Sequence, residues 1–128
     1  MSDKFTVEII TPNETILKTE TNEVNIPSFE GQMGILKDHI PLITFLRPGI
    51  ISLQDQEKKY YVEEGTVEFL NNNLLILTAT ARDLTNLNQD SIEELLKSAE
   101  NKFSDNHSSD KEKYISSYKI STLKEINQ

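Results

Sequence analysis

All four prolines and all four glycines of this 128-residue chain lie within its first 65 positions. They are Pro12, Pro27, Pro41, Pro48, Gly31, Gly34, Gly49 and Gly65, and none follows. Such residues turn chains and end helices, so this placement predicts a turn-rich β region followed by a helical one. The apolar residues are skewed the same way. Residues 1–87 hold 35 of the 46, so the core belongs to the first part. The length suits one domain, or one domain with a small appendage, burying roughly two thirds of its unfolded surface.

Composition removes several function classes. Thirteen Lys and Arg against 21 Asp and Glu give a net charge of -8. A nucleic-acid binder normally carries a basic footprint, so that class is set aside. With no cysteine there is no disulfide framework, no thiolate zinc site and no thiol nucleophile. Two histidines, His39 and His107, make a His-rich metal site improbable on counting alone. No apolar run reaches the ~18 residues of a membrane span. The opening MSDKFTVEII has neither a signal peptide's apolar core nor an Arg-rich transit pattern. The expectation is a soluble protein made where it works.

Short strands are predicted through residues 1–86. Phe5, Val7 and Ile9 alternate with polar residues before the Pro12-Asn13 turn. Thr15–Leu17 and Glu23–Ile26 follow, the second stopped by Pro27. Gly49 opens Ile50–Leu53, and Gln54–Lys58 is a hairpin tip leading to Tyr60–Glu63. Val67 and Phe69 share a face of Thr66–Leu70. Asn71-Asn72-Asn73 is a turn, because Asn tolerates positive φ. Leu74–Ala81 is apolar on both faces and reads as a central strand. Strands at this spacing suggest a sandwich or barrel.

Residues 87–128 change period. Ile92, Leu95, Leu96, Ala99 and Phe103 form one stripe at helical spacing. Asn88 and Asp90 are candidate N-caps, and Ser91 with Glu94 has capping-box spacing. Ser104–Ser109 is a polar break. Ser109 with Glu112 repeats the capping spacing and starts a weaker helix over Lys111–Ile126, rich in Ser and β-branched residues. The prediction is an antiparallel two-helix hairpin.

Catalysis finds little support. A Ser-His-Asp set needs a base beside a nucleophile, and only His39 lies in the β region. Its neighbour Asp38 would point to the opposite face of a strand. His107 sits in a polar loop and is expected to be solvated. Glu63-Glu64 and Glu93-Glu94 are adjacent surface acids with no apolar pocket implied around them. There is no Walker loop and no G-x-G-x-x-G. The expectation is no catalytic residue, no metal and no cofactor.

Special residues concentrate in Glu30–Gly49, EGQMGILKDHIPLITFLRPG. Gly31 and Gly34 flank Gln32-Met33, which reads as an exposed loop apex. An exposed Met marks an adaptable contact surface. Equally, the glycines would serve a tight turn. The residues alone leave both readings open.

The segments Glu30-Gly31-Gln32-Met33-Gly34-Ile35-Leu36, His39-Ile40-Pro41-Leu42 and Leu46-Arg47-Pro48-Gly49 closely resemble the epsilon subunit family of F-type ATP synthase. Gly65-Thr66-Val67-Glu68 and Asn73–Ala81 resemble two further segments of that family, in the same order. The resemblance implies an N-terminal β-sandwich of about ten short strands and a C-terminal helical hairpin. It implies a non-catalytic central-stalk subunit that links the gamma subunit to the c-ring and couples proton-driven rotation to ATP synthesis. Glu30, Gly31, Gln32, Met33 and Gly34, with His39 close by, would make the c-ring or gamma contact. The hairpin would be able to reach the alpha and beta subunits. Membrane association would come only through the complex, peripherally on the cytoplasmic side of a bacterial inner membrane. A free-standing β-sandwich that binds a ligand or regulatory partner is the alternative.

The helical part departs from the family. Aligning Ala99-Glu100 with the family's later Ala-Glu puts Asn88 where its ATP motif has Asp, and Ser91 where it has Arg. Ser cannot replace a bidentate, always charged guanidinium on phosphate. Weak or absent ATP binding is expected. Lys111, Lys113, Lys119 and Lys124 are interleaved with Glu112 and Glu125, so reduced autoinhibition is expected too.

Overall fold

The structure is a computed structural model and describes residues 3–127. Two compact units divide between Leu84 and Thr85.

The first unit holds ten strands: β1 (Phe5–Ile10), β2 (Thr15–Thr21), β3 (Glu23–Ser28), β4 (Gly31–Leu36), β5 (Leu42–Leu46), β6 (Gly49–Leu53), β7 (Lys58–Val62), β8 (Gly65–Leu70), β9 (Asn73–Thr78) and β10 (Ala81–Asp83). Their hydrogen-bonded order is β10-β7-β6-β3-β5-β8-β9-β1-β2, with β4 added on β3. All pairings are antiparallel except β1 with β9. The expected β-sandwich of about ten short strands is what forms.

The core follows from period-two alternation. Phe5, Val7 and Ile9 of β1 are buried, as are Val67 and Phe69 of β8 and Leu74 and Ile76 of β9. Phe5 and Phe69 meet edge to face with centroids 5.5 Å apart. Each such fully buried side chain contributes about 1.5–3 kcal/mol relative to exposure. Tyr61 is fully buried, and its hydroxyl donates to Glu63 at 3.1 Å. Burial, with the Glu63 charge beside it, raises the phenol's pKa.

Two sequence expectations do not hold. Pro27 does not stop β3, which runs on to Ser28. The missing N–H of Pro27 lies on the side facing β5 and β6, where its carbonyl accepts from Arg47 N–H at 3.0 Å. Gly49 makes room for the ring: a Cβ there would lie 2.5 Å from Pro27 Cβ. Leu74–Ala81 holds a central strand, β9 between β8 and β1, but is not one strand. It breaks into β9 and β10, and Leu77 is 44% exposed. Asn71 and Asn72 do turn the chain at φ 52° and 57°, as the sequence predicts.

The second unit is two helices, α1 (Gln89–Ser104) and α2 (Asp110–Ile126). They run antiparallel. Gln89 at the start of α1 bonds Asn127 after α2, and Lys102 near the end of α1 meets Glu112 near the start of α2. Asn88 is the N-cap, accepting from Ser91 N–H at 2.8 Å. The Ser91–Glu94 capping box is therefore not used, because the helix starts earlier. The Ser109–Glu112 capping box is present in full. The polar break is shorter than expected, since α1 includes Ser104. The α2 sequence, despite its poor propensities, is helical over 17 residues. Tertiary packing of Ile115 and Leu123, both buried, overrides propensity there.

Candidate functional site

The Glu30 region is the tip of the β3–β4 hairpin. Ser28 is buried, and its hydroxyl donates to the Gly31 carbonyl at 2.8 Å and accepts from Glu30 N–H at 3.2 Å. Phe29 N–H donates to the Phe45 carbonyl at 3.1 Å. These bonds fix a two-residue apex of Phe29 and Glu30, both exposed. Gly31 has φ 121°, a conformation that a side chain would strain.

The apex is thus not Gln32-Met33. Both lie within β4, with Gln32 exposed and Met33 half-buried against the core. Gly34 is exposed mid-strand, and Ile35 is buried. The glycines therefore do two different jobs, and only Gly31 serves the turn.

His39 is not close to the apex. It follows β4 at the opposite end, where its N–H donates to the Leu36 carbonyl at 3.1 Å. Five residue steps of strand put roughly 17 Å between these ends. The His39 ring lies edge to face on Phe69 with centroids 5.9 Å apart, and Nδ1 donates to the Ile40 carbonyl at 2.7 Å. Asp38 is in a turn at φ 65°, not in a strand. Its carboxylate accepts from Asn72 Nδ2 at 2.9 Å, and its N–H donates to Asn72 Oδ1 at 2.7 Å. The corner is a clasp between two loops, with the Asp38 carboxylate turned to an amide.

A surface that the sequence reading missed lies on the outer face of β5, β8, β9 and β1. Ile43 is 78% exposed and Phe45 59%. Register places Phe45, Thr66, Leu77 and Ile10 in one row across four strands. At its end a groove of about 430 Å³ is lined by Ile10, Pro12, Thr66 and Leu77. The signal was present in Leu74–Ala81, whose second apolar face leaves Leu77 44% exposed and Leu75 partly so.

In the hairpin, Asn88 spends its side chain on the α1 cap, and Ser91 supplies the N–H it accepts. His107 is exposed in the loop, its N–H donating to Asp105 Oδ1 at 2.9 Å. Among the described residues, no three His, Cys, Asp or Glu side chains gather as a metal site. No helix among them is long and apolar enough to cross a membrane.

Residues 4–83 match the profile of the ATP synthase Delta/Epsilon chain beta-sandwich domain. The chain is 45% identical over 130 residues to the ATP synthase epsilon chain of Pelagibacter ubique, covering 99% of this chain and 100% of that one. It is 35% identical over 100 residues to ATP synthase subunit delta, mitochondrial, of Schizosaccharomyces pombe, covering 74% of this chain and 60% of that one. Its fold resembles a chain of the Euglena gracilis mitochondrial ATP synthase OSCP/F1/c-ring structure, with TM-score 0.74 at 18% identity, over 97% of this chain and 79% of that chain. It also resembles a chain of the Tetrahymena thermophila mitochondrial ATP synthase central stalk/c-ring structure, with TM-score 0.66 at 14% identity, over 96% of each. With the sandwich, the helical pair and a full-length relative in agreement, this chain belongs to the epsilon-subunit family of F-type ATP synthases.

Proposed function

We propose that this chain is a non-catalytic central-stalk subunit that joins gamma to the c-ring and couples ring rotation to ATP synthesis. The observation that carries it is the end-to-end match to an epsilon chain, spanning both units. The architecture supports it. A sandwich with a rigid hairpin tip at one end and an apolar outer face suits a coupling piece, which needs surfaces more than a reactive centre.

Glu30, Gly31, Gln32, Met33 and Gly34 form the ring-facing contact in this reading. Glu30 offers charge at the apex, and Gly31 lets the backbone come close. His39, at the far end of β4, belongs to a separate contact, on gamma. The row of Phe45, Leu77 and Ile10, with Ile43 beside it, is the gamma seat. Its exposed apolar area is supported by its position across four strands of rigid sheet.

The hairpin, residues 87–128 on the sequence reading, is a second domain with weak or absent ATP binding and little inhibitory force. Asn88 and Ser91 are committed to a helix cap, and neither supplies a charge to phosphate. The protein acts on the cytoplasmic side of a bacterial inner membrane, held there by the complex.

Affinity purification of the tagged chain from its own membranes tests the reading. Gamma and the c-ring subunit are expected to co-purify in stoichiometric amount. Recovery of the chain as a monomer, free of both, overturns it and favours a free-standing regulatory sandwich.

A further inference from the structure

The apolar outer face of the sheet has charge in its midst. Beside the row of Phe45, Thr66, Leu77 and Ile10, register sets a second row across β5, β8, β9, β1 and β2: Ile43, Glu68, Leu75, Glu8 and Lys18. Each of these is exposed or half-buried.

The two acids keep different company. Glu8 has Lys18 as its direct cross-strand partner. Glu68 has Ile43 on one side and Leu75 on the other. Thr66 and Leu70 lie before and after it on the same face of β8. Its diagonal neighbours include Phe45 and Leu77. All but Thr66 are apolar, and Ile43, Phe45, Leu70 and Leu77 are exposed. Among the described residues no hydrogen bond or ion pair holds the Glu68 carboxylate.

In the isolated chain water solvates that carboxylate. A partner that covers the apolar residues around it must strip the water away. A carboxylate buried without a counter-charge carries a heavy desolvation penalty. A partner escapes the penalty by leaving Glu68 at a wet rim or by bringing a cation to it. Glu68 stands inside the apolar ring, so a partner that covers the ring covers Glu68 as well.

We propose that the gamma surface seated on this face is apolar with one Arg or Lys in its midst, and that this cation pairs with Glu68. The pairing rests on the reading of the outer face as the gamma seat and adds what that seat selects. The apolar neighbours supply contact area, while Glu68 fixes the register and rejects an apolar surface that lacks the cation. A second copy of this chain is the wrong occupant, because it would set Glu68 and Glu8 against another chain of net charge -8.

Titration of the full-length chain onto F1 sector stripped of its own copy tests the pairing. Glu68→Gln and Glu68→Leu change an exposed position, so the sandwich should keep its melting temperature. Each is expected to weaken binding by about thirtyfold or more, because the gamma cation is left buried and unpaired. Glu68→Leu decides by its sign. Were gamma apolar throughout, Leu would complete the face and tighten binding, and that result overturns the proposal. Affinities of E68Q and E68L within about twofold of the native chain also overturn it, since the carboxylate then stays in water. Phe45→Glu separates the pairing from the reading beneath it. Weak binding of F45E with E68L unchanged or tighter keeps the gamma seat and removes the cation. Native affinity in both F45E and E68L moves gamma to another surface, and the seat falls together with the pairing. A dimer of the isolated chain that F45E breaks gives the face to a second copy and likewise overturns the proposal. Loss of binding in Glu68→Lys, restored by an acid in place of one gamma cation, confirms the pair and identifies its other half.

Discussion

The sandwich and the hairpin are held together by different means. Among the described residues, seventeen apolar side chains are buried in the first unit and four in the second: Ile92, Ala99, Ile115 and Leu123. The sandwich therefore rests on its core. The hairpin has a smaller core, to which its ends add the Asn88 cap, the Ser109–Glu112 box and the exposed Lys102–Glu112 ion pair at 2.6 Å. A domain with a large core resists point changes at the surface, whereas one with a small core leans more on exposed caps and charges, which solvent conditions reach.

The sharpest way to break this comparison is in the core. Phe69→Ala should cost the sandwich about 3–5 kcal/mol. A melting temperature lower by at least about 15 °C is the expected reading. A drop of a few degrees would mean that the sandwich is less core-dependent than its burial implies. Leu123→Ala should cost about 2–5 kcal/mol, felt by the hairpin. Helical circular dichroism should fall while the β-sheet melt stays in place. A matching fall in both would show that the units unfold as one. Asn88→Ala should remove about 1 kcal/mol of α1 stability. Amide exchange in the first turn of α1 reads this directly, and no change there would deny the cap.

Acid should loosen the hairpin before the sandwich. The hydrogen bond from Lys102, with the Ser109 N–H, holds the Glu112 carboxyl down at about 2. A carboxyl lowered on folding stabilises the fold above its ordinary pKa, and that help fades as pH falls from about 4.5 toward 2. Helical signal should decline through this window, and Glu112→Gln should flatten the decline. The pair is exposed, so the effect is small and weakens with salt. The smallest effect is expected in the assembled enzyme. Deleting residues 105–128 should leave ATP hydrolysis within about twofold, as the absent guanidinium and the interleaved acids imply. A several-fold rise would restore the hairpin as a brake.

The alternation of Phe5, Val7 and Ile9 and the stripe from Ile92 to Ala99 made the two architectures legible, because burial of one face leaves a fixed period. The Ser109 cap was legible for a similar reason, since its spacing is local. Pro27 misled because its missing donor matters only on one side of a strand, and sequence does not say which side is paired. Gln32-Met33 misled because two glycines three apart look alike, although only Gly31 has the turn conformation. His39 was placed near Glu30 by closeness in sequence, whereas an intervening strand carries it to the other end of the sheet. The apolar outer face was hidden in Leu74–Ala81, where exposed and buried apolar residues alternate without distinction.

The bonds bracketing the Glu30 apex have a mechanical consequence. β3 is tied to β4 on one side and to β5 and β6 on the other. A load applied at the tip along β3 pulls on both ladders at once, so many bonds share the shear. A load across the strand would peel them one at a time. The tip therefore yields little to a tangential drag along its own axis, and far more readily to one that lifts it sideways.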